Sequence, residues 1–256
     1  MPTPFMHLHF SESMRTRALD ESIPSGRLPE AFITSWPAFY LGSVAPDYQT
    51  ICGVPRYVTH FYKMPPQSAS QGWQAFLAQY PELYPGSCVG ADQAAFIAAY
   101  LVHLYLDLRW HFDVVMPYFA DMAIVGDINH GYLLHLAFLT YLDNLAYHAL
   151  ANTAEADLSA ANYDHWLPFA SNDQINNWQQ LLLGQLTAGG ALQTIEIFAR
   201  RLRMTPDEFS AKLNDPDWMG RELFSRIPVA EIEDHLRGSI EVCLDLVEAY
   251  YYGRLD

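Results

Sequence analysis

Residues 96–115 read FIAAYLVHLYLDLRWHFDVV, a mostly apolar stretch that is typical of a buried helix. Three polar residues, His103, Asp107 and His111, stand four residues apart within it. Side chains at this spacing share one face of a helix, with about 5–6 Å between their Cβ atoms. Burying a carboxylate and two imidazoles is costly without a compensating charge. A divalent cation is the simplest compensation, so this face predicts a metal site.

The rest of the chain also has helical character. Strand signals are scarce, whereas apolar residues recur at helical spacing in 173–186, 191–203, 205–213 and 229–251. With 256 residues and 51% hydrophobic content, the chain can bury a large core. We therefore predict an all-α fold, a compact helical bundle in which residues 1–151 form a metal-binding core and residues 152–256 form a C-terminal helical extension packed on it.

Helix ends can be predicted from local signals. We expect a first helix from about His7 to Leu19, and a long helix that Asp92 caps and Pro117 ends. A second long helix should run over about 129–151. Thr205 and Glu208 flank Pro206 as in a capping box, which predicts a helix start there.

Charge and cysteine usage exclude several classes of protein. The net charge of −15 disfavours binding to double-stranded nucleic acid. The three cysteines form no Cys-x-x-Cys pair, so a metal site must depend on histidine and aspartate. No signal peptide is visible, and Asp107 and Arg109 interrupt the one apolar run that approaches transmembrane length. We expect a cytoplasmic protein without a transmembrane segment.

Two further polar residues precede the central helix. A turn of small residues, Leu-Gly-Ser-Val-Ala-Pro, ends at Asp47, and Thr59-His60-Phe61 places an imidazole between a hydroxyl and an aromatic ring. Together with His103 and Asp107, these residues would form a four-ligand site of oxygen and nitrogen atoms. Such a site suits zinc or a similar first-row cation.

These motifs occur in the order of a known family. An early histidine, the Leu-Gly-Ser-x-Ala-Pro-Asp turn, Thr-His-Phe and Tyr-Leu-x-His-Leu-x-x-Asp resemble the bacterial zinc-dependent phospholipase C family. That family is related to the single-strand-specific zinc nucleases of fungi and plants. The resemblance covers roughly residues 1–150.

The resemblance implies an all-helical fold that holds three zinc ions. It implies that the ligands of the first ion are Asp47, His60, His103 and Asp107, with Asp107 also reaching a neighbouring ion. Asp47 would additionally orient the attacking water. His111 corresponds to a ligand of the second zinc ion, and either His7 or His9 to a ligand of the third.

The chain also departs from the family pattern. In the secreted enzymes a later helix supplies histidine followed four residues on by an acid, but leucine follows both His130 and His135 at that spacing. The nearest substitute is His135 with Asp143, eight residues apart. The chain also starts Met-Pro, whereas the mature phospholipases start with tryptophan. The sequence therefore predicts one zinc site, leaves a second open and does not support a third.

The predicted function is that of a metal-dependent phosphoester hydrolase. Zinc-activated water would attack the phosphorus atom, and no side-chain nucleophile is needed. The substrate would be a small phosphoester or a lipid head group, whose identity stays open, as does the oligomeric state. The alternative is a non-catalytic helical protein with a structural metal or a buried His/Asp network. An oxygen-activating di-metal bundle would need Glu-x-x-His motifs, which the chain lacks.

Overall fold

The structure, a computed structural model, describes residues 2–20, 33–69, 72–88, 90–187, 190 and 192–255. Within these ranges the chain is helical and contains no strand, which confirms the predicted all-α fold. The α-helices are α1 (Pro4–Ala18), α2 (Trp36–Gly42), α3 (Gln49–Cys52), α4 (Arg56–His60), α5 (Trp73–Gln79), α6 (Ala91–Trp110), α7 (Met122–Val125), α8 (Ile128–Ala149), α9 (Ala154–Ser159), α10 (Asn172–Leu186), α11 (Thr194–Leu202), α12 (Pro206–Leu213), α13 (Pro216–Trp218) and α14 (Val229–Tyr251). Short 3₁₀ helices cover Ala45–Tyr48, Pro81–Leu83 and Pro85–Ser87, and π-helical segments cover His111–Phe119 and Met219–Phe224.

Helix α6 is the central element, and it is buried over most of its length. Its N-cap is Gly90, two residues before the predicted cap. Asp92 lies in the first turn instead, where its negative charge still faces the positive end of the helix dipole. None of the described helices, α6 included, has both the length and the apolar character needed to cross a membrane.

The prediction that Pro117 ends this helix was wrong. The chain continues from α6 into the π-helical segment His111–Phe119, which contains Pro117. A proline ring in an α-helix clashes with the carbonyl group four residues earlier. Hydrogen bonds in the wider π turn join residues five apart, and this geometry moves the carbonyl group away from the proline ring.

The other predicted helices lie within a few residues of their expected bounds. Helix α1 begins at Pro4, three residues early, because proline is well suited to the first helical turn. The Asp127 side chain accepts hydrogen bonds from two backbone N–H groups and caps α8. The capping box of Thr205 and Glu208 is present at the start of α12.

Two groups of buried apolar side chains make up the core. The larger one surrounds α6 and includes residues of α1, α2, α9, α10 and α14. The smaller one surrounds α8 and includes Trp110, Phe119 and residues of α11 and α12. Helices from the predicted C-terminal extension therefore contribute to the same core as the helices that carry the candidate ligands.

A close approach of α2 to α6 depends on Gly42, at the end of α2. A Cβ atom added to Gly42 would lie 2.3 Å from the backbone oxygen of Phe96 in α6. Because that neighbour is backbone, Gly42→Ala is expected to lower the free energy of unfolding by about 3 kcal/mol, at the upper end of overpacking costs. Denaturant unfolding followed by circular dichroism measures this.

Gly238→Ala is the matched control for this prediction. Gly238 lies inside α14, and a Cβ atom there would have no neighbour within 4 Å. This change should stabilise the protein by about 0.5–1 kcal/mol, since alanine is the better helix former. Equal effects of the two substitutions would show that the α2–α6 approach does not need glycine.

Candidate metal centre

Four elements bring five candidate ligands together around α6. They are His7 from α1, Asp47 from the 3₁₀ helix Ala45–Tyr48, His60 from the end of α4, and His103 and Asp107 from α6. His7, His60, His103 and Asp107 are 0–2% exposed. The Asp47 side chain is 18% exposed, so the cluster approaches solvent on that side.

The five residues form two overlapping groups that share His103. In one group are His7, His103 and Asp107, and in the other are Asp47, His60 and His103. Within each group the candidate ligand atoms all lie within 4.8 Å of one another. The structure thus combines ligands that are up to a hundred positions apart along the chain.

The separations between these atoms suit a tetrahedral cation site. His7 Nε2 lies 3.5 Å from Asp107 Oδ1, and His60 Nε2 lies 3.6 Å from Asp47 Oδ1. The Nε2 atoms of His60 and His103 are 3.4 Å apart. Ligand atoms on a tetrahedral zinc ion lie about 3.4 Å apart, because each stands about 2.0–2.2 Å from the metal.

Hydrogen bonds to the far side of each ring hold two imidazoles in place. His103 Nδ1 lies 2.8 Å from the backbone oxygen of Ser43, in the turn that follows α2. His60 Nδ1 lies 2.8 Å from the Thr59 hydroxyl oxygen, and the Tyr100 hydroxyl donates to the Thr59 carbonyl at 2.6 Å. With Nδ1 engaged in this way, Nε2 of each ring is directed at the cluster.

His7 is the early histidine that the structure brings into the cluster. Its ring stacks on that of His103, with 3.8 Å between ring centroids and 16° between ring planes. His9 lies two residues further along α1 and belongs to neither group. Residues two apart on a helix point in different directions, which explains why the two histidines separate.

Three of the five candidate ligands, His7, Asp47 and Asp107, are in the protonation state that a metal ion requires. Burial, and next the charge of His103, lowers the pKa of His7 to about 4, so its imidazole is neutral at pH 7. Burial alone would raise the pKa of Asp107, but the charges of His103 and Arg56 outweigh it and hold this pKa well below its usual range. The hydrogen bond with His60 and the charge of His103 likewise outweigh burial and lower the pKa of Asp47 to about 2.

Two buried atoms of the candidate ligands have no hydrogen-bond partner among the described residues. They are His7 Nε2 and Asp107 Oδ1, the pair 3.5 Å apart. A buried polar atom without a partner loses its hydration without compensation. A cation between a neutral imidazole and a carboxylate would satisfy both atoms, so the residues present fit a zinc ion.

The predicted ligands of a second ion lie elsewhere. Neither His111 nor His135 belongs to the two groups. His111 is buried in the first turn of the π-helical segment, and His135 Nε2 accepts a hydrogen bond from Trp110 Nε1 at 2.9 Å. Burial, with a contribution from the His111 charge, lowers the pKa of His135 well below its usual value. Their roles as metal ligands stay predictions.

The other residues considered for a second site have different neighbours. The carboxylate of Asp143 accepts hydrogen bonds from the hydroxyl groups of Thr3 and Thr194. His130 Nε2 lies 3.6 Å from a carboxylate oxygen of Glu222. Within the described residues, no carboxylate is grouped with His135 as a metal site.

Arg56 is a member of the cluster that the sequence analysis missed. It opens α4, one helical turn before His60, and its guanidinium donates to Asp107 Oδ2. The four-residue spacing of Arg56 and His60 is the signal that could have indicated it, since both side chains lie on one face of the helix. Arg109, on α6, pairs with Asp113 at 2.6 Å and takes no part in the cluster.

The fold and the cluster define an all-α protein built around a group of histidines and aspartates that could hold a cation. The chain belongs to the zinc-dependent phospholipase C family, because the family model described as zinc dependent phospholipase C matches residues 6–188. This confirms the resemblance found in the sequence and extends it beyond residue 150, into α10. Comparisons with curated proteins and with solved structures give no significant match.

Proposed function

We propose that the chain hydrolyses a phosphoester at a zinc centre held by His7, Asp47, His60, His103 and Asp107. The observation that carries this proposal is that His7 Nε2 and Asp107 Oδ1, which face each other at 3.5 Å, have no hydrogen-bond partner among the described residues and lie inside two ligand groups that share His103. Family membership supports the choice of zinc and of hydrolysis. Bound zinc would lower the pKa of its water towards neutrality and polarise a phosphoryl oxygen.

The protein residues would supply position and charge for this chemistry. His60 and His103 are fixed by hydrogen bonds at Nδ1, so their Nε2 lone pairs need no reorganisation to bind a metal. Asp47 is the most exposed of the five ligands, and it is the carboxylate best placed to orient an attacking water. One metal centre is proposed, in which a zinc ion held by three of these residues would keep an open position for water. His111 and His135 would belong to a second centre.

The substrate proposed is a small phosphoester or a phospholipid head group. Four of the five ligands are almost fully buried, so only a small group can reach the metal, from the side where Asp47 and Arg56 are partly exposed. A bulky, rigid duplex would not fit this approach, and the net charge of −15 also opposes it.

The burial of the cluster also favours a second candidate, a structural metal site without activity. A zinc ion with four protein ligands has no open position for water. If both ligand groups closed on a single ion, the site would stabilise the fold and activate nothing.

Zinc content and turnover together distinguish these functions. The purified protein would be analysed for bound metals and assayed with bis(p-nitrophenyl) phosphate and with p-nitrophenyl phosphorylcholine, before and after chelation. The proposal expects bound zinc and hydrolysis that chelation abolishes and zinc restores. Bound zinc without turnover of either ester would support the structural site, and turnover that survives complete removal of metal would contradict the proposal.

Metal removal should also lower thermal stability. At zinc concentrations near a hundred times the dissociation constant, binding adds about 2.7 kcal/mol. For a chain of this size, chelation is therefore expected to lower the Tm by about 5–10 °C. Differential scanning fluorimetry with and without a chelator measures the shift.

The matched variants for this measurement are two histidine substitutions. His103→Gln should abolish the chelator-dependent shift, because His103 belongs to both ligand groups. His235→Gln should leave it intact, since that imidazole pairs with Asp113 outside the cluster. A shift that persists in His103→Gln would place the metal elsewhere.

A further inference from the structure

Arg56 places a positive charge beside the candidate metal ligands. One arm of its guanidinium, Nη2, donates to Asp107 Oδ2. The other arm, Nη1, is buried and has no hydrogen-bond partner among the described residues. The side chain as a whole is 23% exposed, so it lies between the buried ligands and the surface. Asp107 thus fixes the guanidinium in position while the two N–H donors of Nη1 stay unused.

Tyr62 provides a second unused donor beside the first. Its ring centroid lies 5.1 Å from the guanidinium carbon of Arg56 and 6.1 Å from the ring centroid of His60. The side chain is only 5% exposed, and its hydroxyl oxygen has no hydrogen-bond partner in the described part of the chain. A phenol hydroxyl keeps its proton at neutral pH, so it can donate to a ligand oxygen.

The chemistry of these two groups selects the ligand. A guanidinium offers donors only, in a planar fork that matches the oxygen atoms of phosphate or carboxylate. Next to a cation site, the matching ligand presents one oxygen to the metal and others to the donors, as a tetrahedral phosphoryl group does. Buried donors without partners are rare in folded proteins, and a ligand oxygen would satisfy both.

We propose that Arg56 and Tyr62 form the phosphoryl-binding side of the metal centre, with Arg56 Nη1 and the Tyr62 hydroxyl donating to non-bridging oxygens of the substrate. This inference rests on the proposed function and adds to it how the anionic part of the substrate is held. It assigns to Arg56 a direct contact with substrate, in addition to its contact with Asp107.

Binding of inorganic phosphate to the zinc-loaded protein tests this inference. Isothermal titration would measure the phosphate affinity, elemental analysis would confirm the zinc content, and phosphate inhibition of turnover would be measured in parallel. Arg56→Gln is expected to weaken phosphate binding about 10- to 100-fold, because a charge-assisted hydrogen bond is lost. Arg56→Lys keeps the charge but not the planar fork of donors, so its phosphate affinity should lie between those of the wild type and Arg56→Gln.

Two further variants complete the series. Tyr62→Phe removes one hydroxyl and no charge, and it should weaken phosphate binding about three- to tenfold. Arg109→Gln is the control, since Arg109 pairs with Asp113 away from the cluster, and it should bind phosphate like the wild type. Wild-type phosphate affinity in zinc-loaded Arg56→Gln and Tyr62→Phe would overturn the inference and leave Arg56 as a counter-ion of Asp107.

The outcomes separate this inference from the proposed function. If the wild type binds phosphate through Arg56 but hydrolyses no ester, the inference stands and the proposed function fails. If the wild type hydrolyses an ester and its phosphate affinity is unchanged by these substitutions, the inference fails alone. Should Arg56→Gln lose its zinc or its fold, Tyr62→Phe decides the question, and unchanged phosphate affinity in that variant overturns the inference.

Discussion

Asp107→Asn is expected to lower phosphoester hydrolysis by about three orders of magnitude, together with zinc affinity. The carboxylate oxygens lie within 3.6 Å of the Nε2 atoms of three imidazoles. Oδ1 is 3.5 Å from His7 Nε2, and Oδ2 is 3.2 Å from His60 Nε2 and 3.6 Å from His103 Nε2. Asparagine keeps the shape of the side chain but removes its charge and one of its two ligand oxygens.

The fold is expected to survive this substitution. Asparagine retains one oxygen that can accept a hydrogen bond from Arg56, so the guanidinium is not left without a partner. Steady-state kinetics, zinc titration and circular dichroism of the same preparation separate a catalytic defect from unfolding. Asp92→Asn is the control on the same helix, because Asp92 lies exposed in the first turn of α6.

The two candidate functions differ in what this variant should show. If the site is catalytic, turnover of the variant falls, while the metal-free variant unfolds at nearly the same denaturant concentration as the metal-free wild type. In a structural site, the wild type is inactive as well, and the variant loses the part of its stability that depends on zinc. An Asp107→Asn protein that binds zinc and hydrolyses esters at the wild-type rate would refute both.

Local sequence patterns were sufficient to predict α6 and the face of it that carries His103 and Asp107. The four-residue spacing of His103 and Asp107 follows from helix geometry alone, so it could be found without knowing any neighbour. The same spacing also selected His111, which the structure places outside the cluster. Spacing defines a stripe along the helix, but α1 and α4 determine which part of that stripe meets other ligands.

Contacts distant in sequence account for what the sequence analysis missed. Arg56 and Asp107 are 51 residues apart, and no local pattern relates a guanidinium to a carboxylate on another helix. Asp143 was considered as a partner of His135 because the two lie eight apart on α8. Instead, Thr3, 140 residues away, and Thr194 from α11 donate to it. Which of several polar groups a buried side chain meets depends on how helices pack.

Asp143 gives the stability of this protein a specific dependence on pH. Burial raises the pKa of its carboxyl group from an ordinary value of 3.8 to about 6, although hydrogen bonds from Thr194 and Thr3 oppose the shift. The native state therefore holds this proton more tightly than the unfolded chain does. The resulting stabilisation is complete below pH 3.8, and it is lost as the pH rises through 6.

Asp143→Asn should remove this dependence, because the amide stays neutral at every pH. A shift of this size corresponds to about 3 kcal/mol in total, of which about 2 kcal/mol falls between pH 4 and pH 7.5. In the metal-free protein, the free energy of unfolding of the variant minus that of the wild type should therefore be about 2 kcal/mol larger at pH 7.5 than at pH 4. Urea unfolding at the two pH values measures it.

A pair of substitutions at Thr194 tests whether the hydroxyl groups tune this titration. Thr194→Val removes one donor to the carboxylate, which should raise the pKa of Asp143 further and extend the loss of stability to higher pH. Thr194→Ser keeps the donor and should behave like the wild type. If Asp143→Asn and the wild type changed in parallel from pH 4 to pH 7.5, the carboxyl group would be titrating as it does in the unfolded chain, and its burial between α1, α8 and α11 would be wrong.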